Sequence, residues 1–404
     1  MLTIGERVRK IPGFAWTLLA LIFGIILGGM FPEALKIVAQ AVTWSIQAMI
    51  KLVPILIFAA LSPAVAKLVR RGRAGRFAGA VLGWYLFSSV LAGLFGLTVS
   101  SLIFDIPFST SSEGAWAEVQ LMLSTLGDQG GASLPFLAII GAILIGIVAV
   151  KVEPLFNFLA GIESRIGRSG PALSYVLVPV VLFLGISIGV RFGASLGMAH
   201  YLTMTLYTAF LCFCWWLFYL FVVVKGIGRQ PLMKVIRTYY IPVAIFAAGT
   251  SSSLVTIPVN LVHAKKYGVR DEAADFIIPF GAVINLDASA LAHVAYAPFI
   301  LSYIFGLEIS WVFLLVAWPA IVLFTIAAPG LPAGIGTTLW SATLFAGMIG
   351  LEEPLAGELV ATWVALSSGL PDMFRTATNC TSDGFTSIVF SEYYDKYFSS
   401  GPKS

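Results

Sequence analysis

Apolar residues in this chain run in long blocks, and charged residues gather between them. Blocks at roughly 13–31, 40–68, 76–104, 132–160, 171–198 and 201–228 are each long enough to cross a bilayer, since a helix needs about 20 mostly apolar residues for the hydrocarbon. After residue 228 the pattern changes. The stretches at roughly 239–262, 273–304, 311–327, 333–350 and 355–392 stay apolar but are interrupted by Gly, Pro, Ser, Asn and Asp. Strands of a membrane barrel alternate over about ten residues, and these blocks do not. The pattern predicts an all-α, polytopic membrane protein.

Positive charge gives an orientation. Lys67, Arg70, Arg71, Arg73 and Arg76 fall in one loop, Lys151, Arg165 and Arg168 in another, and Lys225, Arg229, Lys234 and Arg237 in a third, followed by Lys265, Lys266 and Arg270. The loops between carry acids, including Asp105, Glu113, Glu308, Glu352 and Glu353. Lys and Arg concentrate on the cytoplasmic side of membrane proteins, so the expectation is a multi-pass protein of the inner (plasma) membrane with cytoplasmic termini. Arg7, Arg9 and Lys10 precede the Phe14–Phe31 run, which is too long for a signal-peptide core and reads as the first membrane helix.

Two segments break simple up-and-down counting. The basic clusters at 225–237 and 265–270 flank an apolar segment whose two ends therefore lie on one side, and the acids at 308 and 352–353 bracket 311–350 on the other. Each pair predicts a re-entrant hairpin, entering from opposite faces. Their tips read AAGTSSSLVTIP (247–258) and AAPGLPAGIGTT (327–338). Irregular backbone at membrane depth survives only where protein buries it or a cavity hydrates it, and matched interrupted segments point to a transporter's binding site.

Composition supports this picture and excludes others. Of 404 residues 59% are apolar and 11% charged, against roughly 25% charged in soluble domains; the mean hydropathy is +0.94. A net charge of +4 confined to membrane-flanking loops gives no reason to expect nucleic acid. The three cysteines, Cys212, Cys214 and Cys380, all lie in apolar segments and form no disulfide framework.

Candidate chemistry sits in the last two polar-interrupted segments. From Asp372, the residues Arg375, Thr376, Asn379 and Asp383 follow at i+3, i+4, i+7 and i+11, which is one face of a helix. A charged side chain at mid-membrane costs at least about 2.5–3.5 kcal/mol, so three on one stripe call for partners, and a bound ligand or ion supplies them. In PFGAVINLDASAL (279–291), Asn285, Asp287 and Ser289 are spaced by two. On a regular helix Asn285 and Asp287 point about 200° apart, so the helix must unwind there for both to serve one site. Carboxylates and freed carbonyl oxygens suit a hard cation such as sodium.

TSSSLVTIP, NLDAS and DMFRTATNCTSD, in this order and spacing, resemble the dicarboxylate/amino acid:cation symporter family, the glutamate transporter homologues. The resemblance spans nearly the whole chain and is most specific over 245–390. It implies eight transmembrane helices plus two re-entrant helical hairpins of opposite orientation, in an elevator-type homotrimer. The scaffold would comprise residues 1–75 (helices 1–2) and 116–198 (helices 4–5). The moving transport domain would comprise 76–104 (helix 3) and 201–396: helix 6, hairpin 1 at about 232–266, helix 7 at about 273–304, hairpin 2 at about 311–350, and helix 8 at about 355–392.

The resemblance also implies roles. Asp372 matches the residue that binds a substrate amine, and Arg375 the one that pairs with a side-chain carboxylate. Thr376, Asn379, Ser252, Ser289, Gly330 and Leu331 match further substrate contacts. Asp383, with carbonyls of Gly281, Asn285 and Asn379, matches one sodium site. Asp287, Asn285, Tyr85, Ser88 and Ser89 match a second, and carbonyls of Val283, Thr325, Ile326 and Ala328 a third. The implied activity is sodium-coupled uptake of aspartate or glutamate, with a C4-dicarboxylate or proton-coupled symporter as the close alternative and an ion channel as the distant one. No nucleophile–base pair argues for an enzyme, and no resident cofactor is expected beyond the co-transported cations.

Four positions depart from the family pattern. Ser368 stands where many relatives carry an aspartate. Phe374 and Ala288 stand where glycine is usual. His293 stands where proton-coupled relatives have glutamate and sodium-coupled ones glutamine, which makes it a candidate proton carrier or a modulator of the second sodium site.

Overall fold

The protein is described by a computed structural model covering residues 13–72, 76–128, 133–327 and 335–394, and every regular element in that range is helical. In chain order these are α1 (Gly13–Met30), α2 (Pro32–Gly72), α3 (Arg76–Ile103), α4 (Ala115–Asp128), α5 (Ser133–Ala149) and α6 (Glu153–Phe218). They continue with α7 (Leu232–Thr250), α8 (Ser253–Tyr267), α9 (Asp271–Ile284), α10 (Asp287–Ala297), α11 (Trp311–Ala327), α12 (Ile335–Ile349), α13 (Leu355–Ser367) and α14 (Leu370–Glu392). Wide i→i+5 turns extend α6 over Tyr219–Ile227, occupy Ile236–Tyr240 within α7, and extend α10 over Pro298–Ile304. Among the described residues, four helices are long and apolar enough to cross a membrane: Arg76–Ile103, Val178–Ile227, Leu232–Thr250 and Asp271–Ile304.

Two boundaries differ from the hydrophobicity pattern. The expected gap between 160 and 171 is helical, because Pro154 in the first turn of α6 starts a helix that runs on through Arg165 and Arg168. The break expected near residue 200 falls instead at Gly193, whose φ of 76° and ψ of 164° interrupt α6. Hydropathy detects the apolar block; backbone freedom decides where it bends.

The segment 232–267 folds as a helical hairpin. Ser251 ends α7 in the left-handed region (φ 46°), and Ser252 caps α8, its Oγ accepting from the Val255 N–H at 3.5 Å. This hairpin is fastened to α14. Asn260 Nδ2 donates to the Cys380 carbonyl at 2.7 Å, and the Tyr239 hydroxyl donates to Asn260 Oδ1 at 2.8 Å. Helices α11 and α12 form the flanks of the second interrupted segment; its tip, with Ala328, Gly330 and Leu331, lies outside the described residues.

Between α3 and α5 a buried carboxylate clasps three elements. Glu118 on α4 accepts hydrogen bonds from Ser109 Oγ (2.6 Å), the Thr110 N–H (3.0 Å) and Ser310 Oγ. Ser310 also caps α11, accepting from the Phe313 N–H at 2.9 Å. The Pro107 carbonyl takes the Trp311 N–H at 2.9 Å, and the Phe108 carbonyl the Val312 N–H at 3.2 Å. Burial pushes the Glu118 carboxyl upward, but the bonds from Ser109, Ser310 and Thr110 outweigh it and hold it below its ordinary value. A depressed value means that the clasp contributes stability above the unfolded pKa and loses it as pH falls through the folded one. Replacing Glu118 by alanine is expected to cost about 1–3 kcal/mol, since three donors lose their acceptor, and to lower the thermal midpoint measured in detergent at neutral pH.

Candidate functional site

The polar stripe of α14 begins at a sharp break. Gly369 has φ 71° and ψ −120°, a conformation open to glycine, and Pro371 sits in the first turn of the new helix. This places Asp372 in that first turn, where the helix dipole favours a carboxylate. Asp372, Arg375, Thr376, Asn379 and Asp383 are all buried. Phe374 is not part of this face: it is 39% exposed, while Arg375 is 1% exposed. Its bulk therefore does not fill the site, because one residue along a helix is a turn of about 100°. Ser368 also stays apart from Arg375, since its hydroxyl is committed to the Val364 carbonyl of α13 at 2.6 Å.

Arg375 is tied down from several sides. Its Nη2 lies 3.0 Å from Asp372 Oδ1 and 3.2 Å from the Ser367 carbonyl, and its Nη1 lies 3.0 Å from His293 Nε2. Asp372 Oδ2 and Arg375 Nε have no partner although both are buried. A buried donor or acceptor left unpaired costs about 1–3 kcal/mol, so this is where a polar ligand gains most. His293 belongs to this group.

The α9–α10 helix is interrupted at Asn285 and Leu286, with φ/ψ of −108°/83° and −111°/53°. The break turns both Asn285 and Asp287 inward. Asp287 Oδ1 accepts from Ser88 (3.1 Å) and Ser89 (3.0 Å) of α3. Its Oδ2 accepts from the Tyr219 hydroxyl (2.7 Å) and, more weakly, from Trp215 Nε1 (3.4 Å). Ser88 Oγ also lies 3.4 Å from Asn285 Oδ1. Tyr219 and Trp215 escaped the sequence reading, since in WWLFY they look like lipid-facing aromatics. The widened turn beginning at Tyr219 carries its hydroxyl to the carboxylate, and such turns recur at functional sites.

A second acidic cluster adjoins the first. Asn285 Nδ2 donates to Asp383 Oδ1 (2.8 Å) and to Ser382 Oγ (2.9 Å). Gly281 is required here: a Cβ on it would overlap Asp383 Oδ1 and stand 2.5 Å from the Tyr85 hydroxyl. Tyr85 donates to the Ile277 carbonyl at 3.1 Å. Asn379 joins this region to the polar stripe of α14, its Oδ1 accepting from the Ala288 N–H (2.8 Å) and its Nδ2 donating to Ser289 Oγ (3.2 Å). So Tyr85, Ser88, Ser89, Gly281, Asn285, Asp287, Ser289, Asn379 and Asp383 come together from α3, α9, α10 and α14.

The remaining candidates are placed less directly. Ser252 is buried at the hairpin turn, and its carbonyl accepts from the Thr256 hydroxyl at 2.8 Å. Thr325 is buried near the end of α11 with its hydroxyl on the Val322 carbonyl at 2.8 Å. Val283 is partly buried in the last turn of α9, and Ile326 is within α11 with its side chain outside the described residues. Among the described residues no group of three or more His, Cys, Asp or Glu side chains could hold a metal ion; the carboxylates here are instead surrounded by hydroxyl and amide groups. Carboxylate, amide and hydroxyl oxygens are the ligands of a hard cation.

Known proteins match this chain along its length. The sequence profile of the sodium:dicarboxylate symporter family covers residues 14–393. A proton/sodium-glutamate symport protein of Bacillus caldotenax is 22% identical over 426 aligned positions, spanning 96% of each chain. A C4-dicarboxylate transport protein of Rhizobium johnstonii is 24% identical over 422 positions, spanning 94% of this chain and 88% of the relative. A serine/threonine transporter of Campylobacter jejuni subsp. doylei is 32% identical over 146 positions, 36% of this chain and 35% of the relative. The relatives are carriers and not enzymes. With a broken helix facing a buried polar stripe, an apolar helical body around both, and a profile match from end to end, this chain belongs to the sodium:dicarboxylate symporter family.

Proposed function

We propose that this protein is a sodium-coupled carrier that takes up an acidic amino acid, aspartate or glutamate. The observation that carries this reading is the incomplete pairing of Asp372 with Arg375. One carboxylate oxygen and one guanidinium N–H remain unpartnered in a buried site. An α-ammonium group complements the first, and a distal carboxylate complements the second by a charge-assisted bond. Thr376, Asn379, Ser289 and Ser252 lie on elements that converge on the same region, and Gly330 and Leu331 would close it from the second hairpin.

The clusters around Asp287 and Asp383 are the proposed sodium sites, with carbonyls of Val283, Thr325, Ile326 and Ala328 as a third. The relatives named for glutamate and for C4-dicarboxylates support acidic cargo. In this proposal eight helices cross the membrane, the two hairpins enter from opposite faces, and both termini are cytoplasmic. Three copies assemble, and α3, α7 to α14 and the end of α6 move against the remaining helices as an elevator.

A thermal-shift screen of the purified protein tests substrate and coupling together. A ligand at 100 times its Kd stabilises the state it binds by about 2.7 kcal/mol. Aspartate or glutamate with sodium is expected to raise the midpoint clearly, and either one without sodium much less. A shift with succinate but none with aspartate would make the protein a dicarboxylate carrier. An aspartate shift indifferent to sodium but dependent on pH would move the coupling to protons.

A further inference from the structure

His293 is fully buried on α10, and its Nε2 lies 3.0 Å from Arg375 Nη1. A guanidinium only donates hydrogen bonds. The imidazole must therefore accept at Nε2, which fixes a neutral ring with its proton on Nδ1. That Nδ1 has no partner, so no polar contact holds the ring from its other edge. The ring instead meets Tyr296 edge-on, with centroids 6.0 Å apart. Tyr296 in turn is anchored to α6 through a 2.7 Å hydrogen bond between its hydroxyl and that of Thr208.

The consequence falls on Arg375. Asp372 and the Ser367 carbonyl both hold Nη2. Two acceptors at one nitrogen leave the opposite edge of the guanidinium, with Nη1 and Nε, without a hold of its own. His293 holds Nη1, so that edge is pinned and the direction of the unpartnered Nε–H with it.

We propose that His293 is a positioning residue for Arg375 and that, by orienting the guanidinium, it sets the preference for substrates carrying a distal carboxylate. This rests on the reading of Arg375 as the carboxylate receptor. Substrates without that carboxylate do not use the fixed Nε–H and so do not depend on His293.

The test is steady-state uptake of labelled aspartate and serine into proteoliposomes by the wild type and by His293→Leu, His293→Phe and His293→Gln. Leucine and phenylalanine remove the acceptor, and phenylalanine keeps the ring should leucine fail to fold. Both are expected to lower the aspartate-to-serine ratio of kcat/KM by about tenfold or more, the effect of one hydrogen bond to a charged group. The loss should appear in the aspartate KM, with kcat little changed. Glutamine, whose carbonyl can accept from Arg375, is expected to keep most of the ratio. An unchanged ratio in both apolar variants, or an equal fall for both substrates that glutamine does not rescue, would overturn the role. The wild type alone tests the acidic-substrate reading: if it takes succinate and not aspartate, that reading fails, and the role of His293 is then read from the succinate-to-propionate ratio.

Discussion

Replacing Arg375 by alanine is expected to lower aspartate uptake into proteoliposomes by at least about a hundredfold. The side chain is 1% exposed and supplies the only cation in contact with Asp372 among the described residues. Its loss removes the cation offered to a distal carboxylate, and truncating one partner of a buried, hydrogen-bonded charge pair in a binding site costs about 2–5 kcal/mol or more. At 1.4 kcal/mol per tenfold, a cost in the middle of that range is about two orders of magnitude or more. Lysine should not rescue uptake. Its ammonium is a point charge, whereas the site uses a fork that meets Asp372, the Ser367 carbonyl and His293 at two nitrogens. If Arg375→Ala retained near wild-type uptake, the pair would be reduced to glue between helices, and the proposed substrate site would have to move.

The second large effect is expected at the proposed cation cluster around Asp383. Asp383→Asn keeps the size of the side chain but removes the charge that a sodium ion needs, so sodium-dependent stabilisation and uptake should both be lost. Gly281→Ala should do the same from a different direction. Its Cβ would overlap Asp383 Oδ1 and crowd the Tyr85 hydroxyl at 2.5 Å, closer than non-bonded atoms approach, so the carboxylate must leave its place. Comparing thermal midpoints with sodium and with potassium reads this without any assumption about the organic substrate. Either variant keeping the wild-type sodium shift would remove Asp383 from the cation path.

Asp372, Arg375, Thr376, Asn379 and Asp383 were legible as a stripe because helical periodicity is local: each residue's direction follows from its count along the chain. The break at Asn285 was legible for a related reason, since two polar residues spaced by two cannot share a face of an intact helix. The requirement for Gly281 was not legible. It depends on how near α14 comes to α9, and a distance between two helices is written in neither one.

His293 shows the same limit. Its place six residues after Asp287 suggests a proton-carrying or cation-tuning role, and the order of the chain does not say what the ring touches. In the structure its ring meets Arg375, and Asp287 is served by Ser88, Ser89, Tyr219 and Trp215. Tyr219 and Trp215 lie in an apolar run, and only the widened turn and the packing of α6 on α10 turn their polar atoms toward the carboxylate. Phe374 is the converse case: beside Arg375 in sequence, it is 39% exposed and lies off the buried face.

The sequence by itself determined that this chain is an apolar helical membrane protein, that its second half is interrupted by polar breaks, and that one helix carries a costly row of charged and amide groups. These follow from hydropathy and from periods of a few residues, which the order of the chain fixes directly. Only the tertiary structure decided which groups meet across helices: Asn285 with Asp383, Tyr219 with Asp287, His293 with Arg375. The reason is physical. A buried polar atom must find its partner within about 3 Å, and at that range the outcome depends on the rotation and closeness of whole helices.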